Sequence, residues 1–244
     1  MRTNLAPTLF ALILGFAPIA GAVTISLEAT DNATVQPGGP RTGSSGKAFF
    51  NVEGGNNGAF ASYGVADFDF AALAPPLGGP VTSIDSVTLQ LAQSNAGFSL
   101  AGPMSFYLTN QTGVDIQPGT SPAMYQGTNN GAASVGPELG PLSLLGSGNY
   151  TVIENGAIDS FPLTFTGPAL TSLLSAMNND TTLRLVITPD DPATAATYAG
   201  FSNNTFAGPT LVIDATVVPE PATLILLALG AAAWVGRCGA RSRR

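Results

Sequence analysis

Seven Gly-Pro steps, at 39–40, 79–80, 102–103, 136–137, 140–141, 167–168 and 208–209, cut this chain into short pieces. Proline has no amide donor and keeps the residue before it out of helical backbone, so no long helix runs across such a step. Several of the steps stand just before an apolar run, as turns that deliver the chain into an element. The pieces between them alternate with a period of two. In Ala66-Asp67-Phe68-Asp69-Phe70 the alanine and phenylalanines face one way and both aspartates the other. In Ile84 to Leu91, Val87, Leu89 and Leu91 share a face with Asp85, while Ser86, Thr88 and Gln90 point outward. Half-buried antiparallel strands have this pattern.

The spacing predicts strands near Val23–Leu27, Lys47–Val52, Gly64–Phe70, Ser83–Ala92, Met104–Thr109, Tyr150–Glu154, Ser160–Phe165, Thr182–Thr188, Thr197–Phe201 and Thr210–Thr216. One helix interrupts them: Pro168–Met177 places Leu170, Leu173, Leu174 and Met177 at helical spacing, with Pro168 in the first turn and Thr166 or Gly167 as cap. It is expected to plug one end of the sandwich. Thr112–Gly148 is rich in Gly, Asn, Ser, Thr and Pro and reads as a long irregular connection. Gly54–Gly58 lacks the Lys-Ser/Thr and the helix of a phosphate loop and reads as a hairpin tip. The fold class is all-β: an antiparallel β-sandwich with one short helix, followed by a C-terminal hydrophobic helix.

Both ends differ from this body. Met1–Ala22 has a basic start at Arg2, an apolar stretch around Leu9–Phe16 and a small-x-small close, Ala20-Gly21-Ala22. That is the plan of a secretory signal peptide, with cleavage leaving Val23 first. The other end, residues 217–244, holds Pro219-Glu220-Pro221, an uncharged run Ala222–Gly236, and Arg237, Arg241, Arg243 and Arg244. An apolar run beside a terminal basic cluster sits in a membrane with its positive end in the cytoplasm. The run is 15 residues, short of the ~20 that span a bilayer, which suits transient anchoring. The body is therefore read as one domain, residues 23–216.

Charge and residue type limit its chemistry. Residues 23–218 hold Arg41, Lys47 and Arg184 against fourteen carboxylates, a net −11. Such a surface repels nucleic acid and anionic lipid, and nucleic-acid binding is excluded. The chain has no histidine, and its one cysteine, Cys238, lies beyond the apolar run. The body thus has no intrachain disulfide, no Cys or His metal site, no Ser-His or Cys-His nucleophile and no imidazole acid–base.

Two carboxylates stand out. Asp67 and Asp69, on one strand face, with Asp190-Asp191 in a later Pro-flanked turn, offer the oxygen donors that Ca²⁺ takes. The plain alternative is two solvated aspartates and an ordinary turn. A glycosidase would also use a carboxylate pair, but needs an acid in an apolar cleft, and an outward face supplies none. Tyr63, Tyr107, Tyr125, Tyr150 and Tyr198 are the residues that could stack on sugar rings.

The tail, with its three parts in order, resembles the PEP-CTERM sorting signal of bacterial surface proteins. The resemblance implies a partner, exosortase, a membrane-embedded transpeptidase that cleaves near Pro219–Pro221 and releases the protein or joins it to another surface component. An ordinary tail anchor is the other reading of the same residues. The body is similar to DNRLRE-type domains, which resemble carbohydrate-binding modules. The similarity lies in Ala29–Val35, Ala61–Phe70, Val81–Leu91, the helix and Gly208–Ile213. It implies a jelly roll, although the body has no tryptophan. Together these readings imply a non-enzymatic protein exported to the envelope, surface or matrix of a Gram-negative bacterium. It would be anchored transiently through Ala222–Gly236, with a structural or adhesive role beside exopolysaccharide and no cofactor beyond a structural Ca²⁺. A carbohydrate-binding module, Ca²⁺-dependent or not, is the alternative, and a polysaccharide hydrolase the third reading.

Overall fold

The structure is a computed structural model that describes residues 20–41, 45–73, 77–117, 122–127 and 130–218. Among the described residues twelve strands form: β1 (Gly21–Glu28), β2 (Asp31–Gln36), β3 (Gly39–Pro40), β4 (Phe49–Glu53), β5 (Tyr63–Asp69) and β6 (Val81–Ala92) in the first half. The second half adds β7 (Gly102–Thr109), β8 (Leu142–Tyr150), β9 (Ile158–Pro162), β10 (Thr182–Pro189), β11 (Ala195–Ala199) and β12 (Thr210–Val217). Two α-helices accompany them, α1 (Ser45–Ala48) and α2 (Gly167–Asn178).

The strands make one sheet in the order β1-β12-β6-β9 and another in the order β3-β2-β5-β10-β7-β8, with β4 and β11 as a separate ribbon. Every named pair is antiparallel. Set aside β2, β3 and the ribbon, and eight strands remain. In chain order the first, eighth, third and sixth form one sheet, and the second, seventh, fourth and fifth the other. That interleaving is two Greek keys wound into a jelly roll, an architecture that pairs the first strand with the last. Gly21 indeed lies opposite Val217.

Between the sheets lies the main core. Leu89, Leu211 and Ile213 of the first sheet meet Phe68, Phe106 and Leu185 of the second. Phe106 and Phe161 cross it, ring centroids 4.6 Å apart. Helix α2 covers the region beside β6 and β10 with Ala169, Leu173, Ala176 and Met177. Thr166, one of the two cap residues the sequence offered, takes the N-cap position in extended backbone without a side-chain capping bond, and Leu170 and Leu174 of the expected stripe pack against the core half-buried. Its last residue, Asn178, mimics a strand partner. The Asn178 Oδ1 accepts from Val81 N–H at 2.7 Å, and its Nδ2 donates to the Val81 carbonyl at 3.0 Å.

A second apolar layer lies on the outer face of the larger sheet. Val35, Tyr63, Val65 and Val186 point outward there and are covered by Ile116, Met124, Val135 and Leu139. The covering residues come from the stretch read as an irregular connection. It holds short 3₁₀ turns at Pro122–Met124, Gly131–Ser134 and Pro137–Leu139, and then β8. Two expectations are corrected here. The strand placed at Tyr150–Glu154 is β8, eight residues earlier at its start, and β2 forms in a polar stretch where no strand was expected. Strand β8 reads Leu-Ser-Leu-Leu-Gly-Ser-Gly-Asn-Tyr, and its glycines hide the alternation. Gly148 has none to show because its partner is the Phe161 ring, 2.5 Å from where a Cβ would stand.

Asp85, which shares the parity of the core residues in β6, escapes the core through a β-bulge. Asp214 pairs with Ser86 but Ala215 pairs with Ile84, so Asp85 is skipped and stays exposed while Ile84 turns toward the core.

Candidate functional site

The sequence-derived carboxylates are engaged structurally. Asp67 is 8 % exposed, not solvated. Its face of β5 is the one closed by the second layer, and there Arg184 of β10, directly opposite in register, meets it. Arg184 Nε donates to one carboxylate oxygen and a terminal nitrogen to the other, both at 2.7 Å. The remaining guanidinium nitrogen donates to the carbonyls of Gln111 and Val114 at 2.7 and 2.8 Å. Burial pushes the Asp67 carboxyl up, and the Arg184 hydrogen bonds and charge pull it back. Asp69 instead caps a 3₁₀ turn, accepting from Ala71 N–H at 3.0 Å. Asp67 keeps the outward side that the sequence reading gave it, and the correction concerns solvation: it is a buried ion-pair partner, and Asp69 is a cap. Among the described residues no three acidic, cysteine or histidine side chains converge on a point.

The Asp190-Asp191 turn is likewise occupied. Ser105 Oγ donates to Asp190 at 2.6 Å, and Asp191 accepts from Ala193 N–H at 2.7 Å. Of the five tyrosines, Tyr63, Tyr150 and Tyr198 are fully buried. Tyr63 donates to the Met124 carbonyl and stacks on Tyr125, with 6.1 Å between centroids and 11° between planes. Tyr150 and Tyr198 meet edge to face, and the Tyr198 hydroxyl donates to Asp159 at 2.9 Å. The three buried rings hold the fold together and are closed to a sugar, while Tyr107 and Tyr125 pack half-buried against the second layer.

What the sequence reading missed is a groove over the β4–β11 ribbon. Strand β4 alternates: Phe50 and Val52 enter the core, and Phe49, Asn51 and Glu53 face the other way. Strand β11 sets Thr197 directly opposite Asn51. Two loops and the residue after β3 form the walls, so that Arg41, Asn57, Phe60, Asn95 and Phe98 complete a groove of about 380 Å³.

Both loops are fixed by backbone hydrogen bonds. Gly54 N–H donates to the Thr194 carbonyl and Asn56 N–H to the Pro192 carbonyl, at 2.8 and 2.9 Å. Gly54 has no room for a side chain, because a Cβ would stand 2.3 Å from the Asp191 carbonyl oxygen. The Pro-Asp-Asp-Pro turn thus seats the loop that carries Phe60. On the opposite wall Asn95 takes left-handed backbone, φ 56°, and opens the 3₁₀ turn Ala96–Phe98. Phe98 N–H donates to the Asn95 carbonyl at 3.0 Å, and Ala96 N–H to the Asn155 side chain at 2.8 Å. Each wall ends in an exposed ring: Phe60 is 60 % and Phe98 83 % accessible.

The floor is polar. Asn51 Nδ2 donates to Glu53 at 2.6 Å, while Asn51 Oδ1 is occluded with no hydrogen-bond partner among the described residues. Burial raises the Glu53 carboxyl, against the Asn51 hydrogen bond and the Arg41 charge, which lower it. The sequence signal for this site was slight: Phe60 and Phe98 stand among Gly, Ala, Asn and Ser, where a packed ring is not expected.

Fold and chemistry together define an all-β jelly-roll body with an amphipathic surface groove, whose central strand β12 runs into the tail. Residues 217–244 match the family model of the PEP-CTERM protein-sorting motif, and the chain carries that motif at its C-terminal end. The motif marks an exported protein handled by exosortase and associated with the cell surface. Pro219, Glu220, Pro221, Ala222–Gly236, Arg237, Arg241, Arg243 and Arg244 lie outside the described residues, as does most of Met1–Ala22. Among the described residues no helix is long and apolar enough to cross a membrane.

No curated protein matches the chain. Among solved structures, that of Cocksfoot mottle virus is similar over 84 % of this chain and 96 % of its own, at 12 % identity and a TM-score of 0.27. A proposed glycoside hydrolase from Bacteroides thetaiotaomicron is similar over 76 % and 56 %, at 13 % identity and a TM-score of 0.19. Scores this low leave the jelly roll resting on its own strand order.

Proposed function

We propose that this protein is a non-enzymatic component of the bacterial surface or extracellular matrix, with a structural or adhesive role in an exopolysaccharide layer. A signal peptide, Met1–Ala22, exports it, Ala222–Gly236 holds it briefly in the membrane, and exosortase acts near Pro219–Pro221. The observation that carries this reading is where the sorting motif starts. Val217, its first residue, is also the last residue of β12, a strand bonded on both sides, to β1 and β6. Val218 N–H then donates to the Pro80 carbonyl at 3.0 Å. A folded cargo is thus joined to its address without a linker, and the whole jelly roll is what the motif delivers.

A non-enzymatic role is supported by the absence of histidine and by Asp67 being held in an ion pair, where it has neither a cleft nor a free oxygen for acid catalysis. Fractionation of the native host tests the proposal. The wild-type protein is expected at the cell surface or in the matrix. Deletion of residues 219–244 is expected to shift it to a soluble extracytoplasmic pool, and a cytosolic wild-type protein would overturn the reading.

A further inference from the structure

We infer that the groove over the β4–β11 ribbon is a saccharide-binding site that takes a neutral pyranose chain between Phe60 and Phe98. The inference deepens the proposed matrix role, on which it rests for its choice of ligand. The physical case comes from the groove itself. Phe98 is 83 % and Phe60 60 % exposed, on loops whose hydrogen bonds hold each ring in place. Large rings cost free energy in water, and rings fixed there in pairs mark a surface that something covers. The face of a phenyl ring carries partial negative charge and attracts the weakly positive C–H groups on the apolar face of a sugar.

Between the rings the lining changes character. Asn95 and Thr197 bring an amide and a hydroxyl, Asn57 brings an amide whose Nδ2 already donates to the Gly54 and Thr194 carbonyls, and Arg41 and Glu53 bring one charge of each sign. Groups that both donate and accept suit a ligand whose every hydroxyl also does both. A purely apolar peptide would strand these groups, because buried polar groups left unpaired are costly. The volume, about 380 Å³, falls within the range of small-ligand sites.

Charge selects within the class. Arg41 is balanced by Glu53 inside the groove, and the body around it carries −11. A polyuronate arriving here meets repulsion at long range with no net cation to bind it. A neutral chain meets neither. Asn51, in the groove floor, adds a reserve: its Nδ2 is committed to Glu53, and its Oδ1 is occluded and has no hydrogen-bond partner among the described residues, so a hydroxyl that reaches it gains an acceptor.

The test is affinity electrophoresis of the full chain in mild detergent through gels holding laminarin, hydroxyethylcellulose, galactomannan or polygalacturonate. At least one neutral polymer is expected to retard the wild type. Phe98→Ala and Phe60→Ala are each expected to weaken that retardation roughly ten-fold. Both side chains are exposed, so the melting temperature should stay within a degree or two. Thr197→Val, which replaces one hydroxyl by a methyl, is expected to weaken binding less. No retardation by any neutral polymer, retardation only by polygalacturonate, or retardation untouched by both phenylalanine changes would overturn the inference. Self-association abolished by Phe98→Ala, with no polysaccharide binding, would assign the rings to a second copy of the chain instead. Binding is read without export and location without a ligand. A chain that binds but stays cytosolic therefore sinks the matrix role alone, and an exported chain that binds nothing sinks the groove alone.

Discussion

Asp67 shows how much a single position can hold. Its alternation with Ala66 and Phe68 was legible, and the structure keeps that alternation: Phe68 enters the core and Asp67 leaves it. What lies beyond the outer face was not legible, because period two reports which side a residue takes and nothing about a later layer laid over that side. Arg184 was equally visible as one of three body cations, yet only register brings it opposite Asp67. Removing the carboxylate alone leaves a buried guanidinium with half its partners. Asp67→Ala is therefore expected to cost about 3–5 kcal/mol in denaturant unfolding. Replacing the pair together, as Asp67→Leu with Arg184→Met, should cost much less than the single change, since no buried charge is then left alone. Equal losses in the single and double variants would contradict this account of the pair.

At the scale of elements, what could be read depended on side-chain contrast. Strands β5, β6, β10 and β12 announce themselves through β-branched and aromatic residues, and α2 through its leucines and Pro168. Strand β8 is masked by Gly146 and Gly148, and β2 by Asp31, Asn32, Thr34 and Gln36, of which the first three bond through their side chains to the chain around them. Asn32, for instance, is fully buried, and its Oδ1 accepts from Phe201 N–H at 2.6 Å. The candidate groove was hidden for a different reason: its residues come from β4, β11 and three separate connections, and no local pattern joins them. Two element-scale outcomes follow from the contacts. Leu173→Ala in α2 opens a hole against the core and is expected to cost about 2–5 kcal/mol in chemical unfolding. Gly54→Ala drives a methyl onto the Asp191 carbonyl and is expected to cost about 1–3 kcal/mol and to loosen the Phe60 wall, seen as faster amide exchange in 54–61.

For the molecule as a whole, three raised carboxyls, Glu53, Asp159 and the Asp67 described above, dominate its response to acid, while Asp214, held low by hydrogen bonds from Thr24 and Ser86, acts in the opposite sense. Burial raises Glu53 against its Asn51 and Arg41 partners, and raises Asp159 against the hydrogen bonds from Gln93 and Tyr198. A carboxyl raised on folding binds more protons in the native state than in the unfolded one, so its contribution to stability falls as pH climbs through the raised value. The melting temperature is expected to rise as pH is lowered from about 7 toward about 5, and Glu53→Gln should flatten part of that slope. A melting temperature that falls steadily over the same interval would contradict the sign. The jelly-roll winding also pairs the first strand with the last, Val23 opposite Ala215, so the two proposed cleavage points lie at one pole of the body. We propose that this body is cargo between two removable segments. The most direct test is the intact mass of the protein recovered from the native cell surface or medium. A mass for a chain that starts at Val23 and ends near Pro219–Pro221 is the predicted result, and a mass that still includes Arg244 would contradict it.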